Sequence, residues 1–155
     1  MSKVPKTRTS IFDGMDIVLT SVADGVGTIT MNRADKRNAL SAELVAHLHA
    51  AFLQMGSDAS VKVIVLSGDG SAFCAGADLG AGGDTFNYDE RGNRPAGIPR
   101  DGGGLLTLRI YELKKPIIAA INGPAVGVGV TMTLPMDIRL ASDGAKFGFV
   151  FARRG

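Results

Sequence analysis

Two apolar runs, each followed by glycine and other small residues, constrain the fold of this chain most strongly. Residues 61–66 (VKVIVL) lead to residues 73–78 (FCAGAD), and residues 117–121 (IIAAI) lead to residues 122–129 (NGPAVGVG). Each run predicts a buried strand, and the small residues after it predict a turn into a helix. Unpaired backbone N–H groups at two such turns could donate to one oxygen if the turns face each other. Tight connections in a crowded fold explain the same pattern, so spacing alone leaves both interpretations open.

The segment before these runs predicts a hairpin and a helix. β-Branched residues at 16–21 and 26–31 flank residues 23–25 (ADG), which is typical of a hairpin. Ser41 is an expected N-cap, and the helix that it begins should end at Gly56. One apolar stripe marks the buried face of this helix: Leu44, Leu48, Ala51, Phe52 and Met55.

Shorter elements are expected in the second half. The pattern predicts a helix over residues 105–113 and a buried helix over residues 126–134. Residues 137–141 and 145–149 could pair with each other as a hairpin. Because strand and helix patterns alternate along the chain, the fold class is α/β.

Glycine is concentrated in the second half of the chain. Four of the 21 glycines precede residue 60, and 17 fall between Gly68 and Gly155. Residues 80–104 hold eight of them without an apolar period, which predicts a long loop. Loops of that length are uncommon in compact domains and often functional.

Composition and charge exclude several classes of protein. A net charge of +2 gives no reason to expect a nucleic acid partner, and a single cysteine excludes an internal disulfide framework and fits a reducing, cytoplasmic location. Residues 1–14 are basic without an apolar core, so we expect a disordered or extended tail and no secretory signal. Residues 117–136 carry no charge, but residues 122–124 (NGP) interrupt them, which argues against a membrane span.

Familiar nucleotide and metal motifs are absent or incomplete. Gly127 and Gly129 begin a dinucleotide-binding pattern, but Met132 occupies the third glycine position. His47 and His49 are two residues apart on a predicted helix and point to different faces, so we expect no metal site. We interpret Cys74 as a small buried residue rather than a nucleophile.

Several segments, taken in order, make the chain resemble the crotonase superfamily of enoyl-CoA hydratases and isomerases. The segments are residues 29–33 (ITMNR), 36–40 (KRNAL), 71–79 (SAFCAGADL), 114–123 (KKPIIAAING), 137–141 (DIRLA) and 145–148 (AKFG). The resemblance implies a spiral of ββα units. Residues 15–155 would form the N-terminal part of that domain, truncated before its helical C-terminal region. It also implies a homo-oligomer, either a trimer or a dimer of trimers.

The resemblance also implies the chemistry. Family members stabilise a thioester enolate with two backbone N–H groups, which fall here on Ala77 and Val128. An acyl-CoA thioester would be the partner, with coenzyme A as part of the substrate and no tightly bound cofactor or metal. The residues implied to bind the CoA portion are Lys36, Arg37, Asn38, Ala75, Gly76, Asp78 and Gly127. Lys36 and Arg37 could instead be ordinary solvated charges.

Three positions depart from the family pattern. Thr131 and Phe151 stand where well-known hydratases have glutamates, and Val128 stands where many relatives have glycine. The only glutamates are Glu43, Glu90 and Glu112. A threonine hydroxyl is not ionised near neutral pH and cannot replace a general base without activation. Two functions therefore remain open: a hydratase or isomerase, and a module that binds acyl-CoA or a partner subunit without turnover.

Overall fold

The computed structural model describes residues 17–80 and 101–153, which form ten helices and strands and two short 3-10 turns. The predicted N-terminal tail at residues 1–14 lies outside this range. The elements are β1 (Val18–Ala23), β2 (Val26–Met31), α1 (Ala42–Ser57), β3 (Val63–Gly68), α2 (Gly102–Glu112), β4 (Ile117–Ile121), β5 (Ala125–Val126), α3 (Val128–Thr131), β6 (Ile138–Ala141) and β7 (Phe147–Gly148). The 3-10 turns span Ala34–Lys36 and Phe151–Arg153.

A five-stranded sheet in the order β1-β2-β3-β4-β6 carries the fold. The first pair is antiparallel and the other three pairs are parallel. Asp24 and Gly25 turn the first pair with φ angles of 51° and 82°, as a two-residue hairpin requires. The predicted hairpin and α/β class are therefore confirmed.

Helix α1 covers one face of the sheet with the predicted stripe. Ser41 caps it, since its Oγ accepts a hydrogen bond of 3.2 Å from the N–H of Leu44. All five stripe residues are buried in the core, and α1 packs against β1, β2 and α2. The helix ends at Ser57, one residue beyond the expected Gly56.

The prediction that residues 137–141 and 145–149 pair with each other is wrong. β6 pairs in parallel with β4, whereas β7 pairs in parallel with β5 in a separate two-stranded sheet. A buried strand such as β4 must satisfy backbone groups on both of its edges. β6 supplies the second edge, which a local hairpin would have left unpaired.

Two predicted helix boundaries also change. α2 begins at Gly102 rather than residue 105, because the Asp101 carboxylate caps it by accepting from the N–H of Gly104. The predicted loop therefore ends before Gly102, and residues 81–100 lie outside the described range. The buried helix expected from residue 126 spans only Val128–Thr131, since Val126 belongs to β5. No helix within the described parts of the chain is long and apolar enough to cross a membrane.

Candidate functional site

The first glycine turn, residues 75–78, lies between Leu40 and strand β5. Cys74 forms a parallel bridge with Ala125, and Ala77 forms a parallel bridge with Leu40. The N–H of Leu40 donates to the carbonyl of Gly76, and the N–H of Asp78 donates to the carbonyl of Leu40. In this parallel pattern the N–H and C=O of Ala77 point away from Leu40.

The second glycine turn, residues 127–129 directly after β5, packs against the first. A Cβ built at Gly76 (φ 96°) would lie 2.9 Å from the carbonyl oxygen of Val126. A Cβ built at Gly129 would lie 2.5 Å from the carbonyl oxygen of Cys74. Only glycine permits backbones to approach this closely at both points. The two turns that share a sequence pattern therefore meet in space.

Two backbone donors at this junction have no acceptor in the part of the chain that the structure describes. Within residues 17–80 and 101–153, the N–H groups of Ala77 and Val128 donate to no backbone or side-chain group. Val128 is the first residue of α3, and the N–H of Gly127 before it is already bonded to the carbonyl of Gly148. Both Ala77 and Val128 are half-buried.

The basic loop before α1 is joined to the first glycine turn. The N–H of Ala75 donates to the carbonyl of Arg37 at 3.0 Å, and the side chains of Lys36 and Arg37 are exposed. Two cations therefore lie in solvent next to the small residues at 75–78. Asn38 differs, because it is fully buried and its side-chain amide bonds only to protein backbone. Its side chain holds two loops together and is not available to a ligand.

Asp78 is paired with a residue that the sequence analysis did not identify as functional. Its Oδ2 accepts from Nη2 of Arg33 at 3.0 Å, and its Oδ1 accepts from the N–H of Gly80 at 3.0 Å. The Gly80 bond, and then the Arg33 bond, hold the pKa of the Asp78 carboxyl below its ordinary value. Arg33 and Asp78 are 45 residues apart, so no local spacing marks the pair.

The two positions where the resemblance implies glutamates, Thr131 and Phe151, hold no base. The hydroxyl of Thr131 faces the carbonyl of Val128 at 3.5 Å, within its own short helix. Phe151 is exposed, and its ring lies 4.0 Å from a Cβ built at Gly127. Across the described ranges, no group of three histidine, cysteine or carboxylate side chains could hold a metal. Cys74 is buried, and burial raises the pKa of its thiol to about 11, as expected for a packing residue.

The chain matches one known protein family over most of its length. The family model for enoyl-CoA hydratase/isomerase matches residues 21–155. The chain is 47% identical over 133 residues to the enoyl-CoA hydratase ACTT3 of Alternaria alternata, covering 86% of this chain and 43% of that protein. It is 34% identical over 148 residues to the 1,2-epoxyphenylacetyl-CoA isomerase of Escherichia coli, covering 91% and 53%.

Solved structures described as enoyl-CoA hydratases or isomerases also superpose on this chain. An enoyl-CoA hydratase from Mycobacterium avium subsp. paratuberculosis superposes with a TM-score of 0.74 at 28% identity, covering 92% of this chain and 53% of that one. A second structure, described as an enoyl-CoA hydratase/isomerase family member, has a TM-score of 0.78 at 28% identity, covering 89% and 52%. The chain thus spans about half the length of the relatives that it matches.

Proposed function

Because this chain belongs to the enoyl-CoA hydratase/isomerase family, we propose that it binds an acyl-CoA thioester and stabilises the thioester enolate with the N–H groups of Ala77 and Val128. The observation that carries the proposal is the pair of N–H donors, which lack acceptors in the described chain and lie in two turns packed together. A thioester oxygen would complete both hydrogen bonds. Loss of one such donor costs other enzymes about 10²–10³ in rate.

The nucleotide end of the substrate would lie beside the basic loop. Lys36 and Arg37 are exposed next to Ala75, so their charges can meet phosphates while the small residues at 75–78 admit the rest of coenzyme A. Gly76 and Gly127 would support this arrangement by shaping the two turns, since both are buried and adopt positive φ angles that favour glycine. The chain itself would need no other cofactor, and no nucleic acid is required to explain its basic loop.

A binding role without turnover is the second candidate. Thr131 and Phe151 provide no carboxylate where the resemblance implies two, and a positioned acid or base typically contributes about 10²–10⁴ in rate. The described part of the chain therefore supports the electrostatic half of the reaction better than proton transfer. Hydration and isomerisation remain alternatives within the first proposal.

A homo-oligomer, either a trimer or a dimer of trimers, is part of the proposal. Large apolar side chains are exposed from the end of α3 onward, which is typical of surfaces that become buried on association. They are Leu134, Ile138, Leu140, Phe147, Phe149 and Phe151. A cytoplasmic location is proposed from the single, reduced cysteine.

The test compares three ligands on the same protein: crotonyl-CoA, its saturated thioether analogue without a carbonyl, and free coenzyme A. We expect crotonyl-CoA to bind most tightly, because only it has a thioester carbonyl oxygen for the two donors to bond. Loss of the enoyl absorbance in the same cuvette reports hydration, and a 3-enoyl-CoA reports isomerisation. Binding without either reaction would favour the second candidate, and no binding of any CoA species would contradict both.

Ala77→Pro addresses the donor directly. Proline removes the N–H of residue 77, so the preference for thioester over thioether should disappear together with any turnover. Circular dichroism and retained binding of coenzyme A establish that the variant is folded. A folded variant that keeps the full thioester preference would contradict the assignment of Ala77.

A further inference from the structure

We propose that Arg33 is a positioning residue that sets the direction of the Ala77 N–H through its ion pair with Asp78. The proposal deepens the proposed function and rests on it. Arg33 does not approach the two donors itself. It lies near the start of the loop that follows β2, and its side chain bonds to Asp78, the residue after Ala77.

Backbone bonds alone fix Ala77 on one side only. The segment from Arg37 to Leu40 is bonded to the first glycine turn by three hydrogen bonds, from Ala75 to Arg37, from Leu40 to Gly76 and from Asp78 to Leu40, at 3.0, 2.8 and 3.0 Å. The N–H of Ala77 points away from Leu40. Its direction therefore depends on how the segment from Arg37 to Leu40 lies against the first glycine turn. A side-chain contact that joins residues 37–40 to the first glycine turn therefore controls the direction of the Ala77 N–H.

The guanidinium of Arg33 makes such a contact. Its Nη1 donates to the carbonyl of Ala39 at 2.6 Å, and its Nη2 donates to Oδ2 of Asp78 at 3.0 Å. The two side chains are only 18% and 23% exposed, so water screens this pair less than a pair on the open surface. The planar guanidinium of Arg33 thus fixes Ala39 and Asp78 relative to each other.

Asn38 anchors the other end of Arg33. Its Oδ1 accepts from the backbone N–H of Arg33 at 2.9 Å, and its Nδ2 donates to the carbonyls of Asp69 and Ala72, both at 2.9 Å. The backbone of Arg33 is therefore tied to the residues that lead into the first glycine turn. Because hydrogen bonds hold both the backbone and the guanidinium of Arg33, the guanidinium has little freedom to move if Asp78 shifts.

Arg33→Lys is the discriminating variant, because an ammonium retains the charge but cannot reproduce the two-armed fork. Asp78→Asn removes the carboxylate charge while keeping an acceptor at the same place. Arg109→Lys is the matched control, since Arg109 forms a more exposed pair with Glu112 on α2 at 3.0 Å. Thermal unfolding establishes that each variant is folded at the assay temperature.

Two readouts test the proposal without depending on turnover. The first is the ratio of affinities for crotonyl-CoA and its thioether analogue, together with the infrared shift of the ¹³C-labelled thioester carbonyl. We expect Arg33→Lys to lower the ratio about tenfold and to shrink the carbonyl shift, while affinity for free coenzyme A stays within twofold. The second readout is the amide resonance of Ala77 in the ligand-free protein, which should move in Arg33→Lys and stay in place in Arg109→Lys.

The outcomes separate this proposal from the proposed function. A wild-type protein without thioester preference would contradict the oxyanion role, and the Ala77 amide resonance would then decide the positioning role by itself. An unmoved Ala77 resonance in a folded Arg33→Lys variant would overturn the proposal. Equal losses for crotonyl-CoA, the thioether and free coenzyme A would also overturn it, because they would indicate that Arg33 contacts the ligand.

Discussion

The first turn of α2 is in direct contact with the side chain of Val128: a Cβ built at Gly103 would lie 2.5 Å from Cγ2 of Val128. Val128 is β-branched, and its side chain occupies the space that a side chain at residue 103 would need. The close packing of α2 against Val128 therefore requires glycine at residue 103.

Gly103→Ala should destabilise the protein by about 1–2 kcal/mol. The energetic cost of forcing a methyl group against the rigid side chain of Val128 exceeds the energy gained from the higher helix propensity of alanine. Urea unfolding measures the change. Gly102→Ala is the control in the same turn, since its Cβ would meet Val45 at an ordinary 3.4 Å. We expect Val128→Ala to restore stability in the Gly103→Ala background, and additive losses would contradict the direct contact.

Gly129→Ala should displace the two glycine turns from each other. Its Cβ would meet the backbone carbonyl of Cys74 at 2.5 Å, and backbone cannot rotate away as a side-chain end can. We expect a loss of about 2–3 kcal/mol in the free energy of unfolding and weaker thioester binding. A Cβ at Gly144 would contact nothing within 4 Å, so Gly144→Ala should change neither quantity.

The stability of the fold should fall at alkaline pH because of Cys74. Burial raises the pKa of its thiol to about 11, whereas an unfolded thiol ionises near about 8.5. The unfolded chain therefore loses its proton first, and stability declines between these values by at most about 1.4 kcal/mol per pH unit. Unfolding midpoints of wild type and Cys74→Ala across this range measure the effect. Parallel curves for the two proteins would contradict it.

Asn38→Ala should cost about 2–4 kcal/mol, since it leaves the carbonyls of Asp69 and Ala72 and the N–H of Arg33 without their partner. Asn38 also has a φ of 55°, which glycine adopts more easily than alanine. Asn38→Gly loses the same bonds without the backbone strain, so it should be about 1 kcal/mol more stable than Asn38→Ala. Equal stabilities would show that the positive φ costs nothing here.

Local patterns in the sequence were sufficient for the α/β class, the first hairpin, the buried face of α1 and its Ser41 cap. Each depends on residues within one or two turns of each other, so periodicity and capping determine it. The second half was less predictable. There the Asp101 cap lets α2 begin with three glycines, which a periodicity pattern does not predict. The short strand that contains Val126 pairs with segments that are distant in the sequence.

The candidate site divides in the same way. The glycine pattern at residues 75–78 and 127–129 is local, and it indicated two turns whose backbone N–H groups could bind a ligand. Only the tertiary structure brought the two turns into contact, buried Asn38 and paired Arg33 with Asp78 across 45 residues. Such contacts depend on which strand edges and loop carbonyls remain unsatisfied after the sheet forms, and that information belongs to the whole fold.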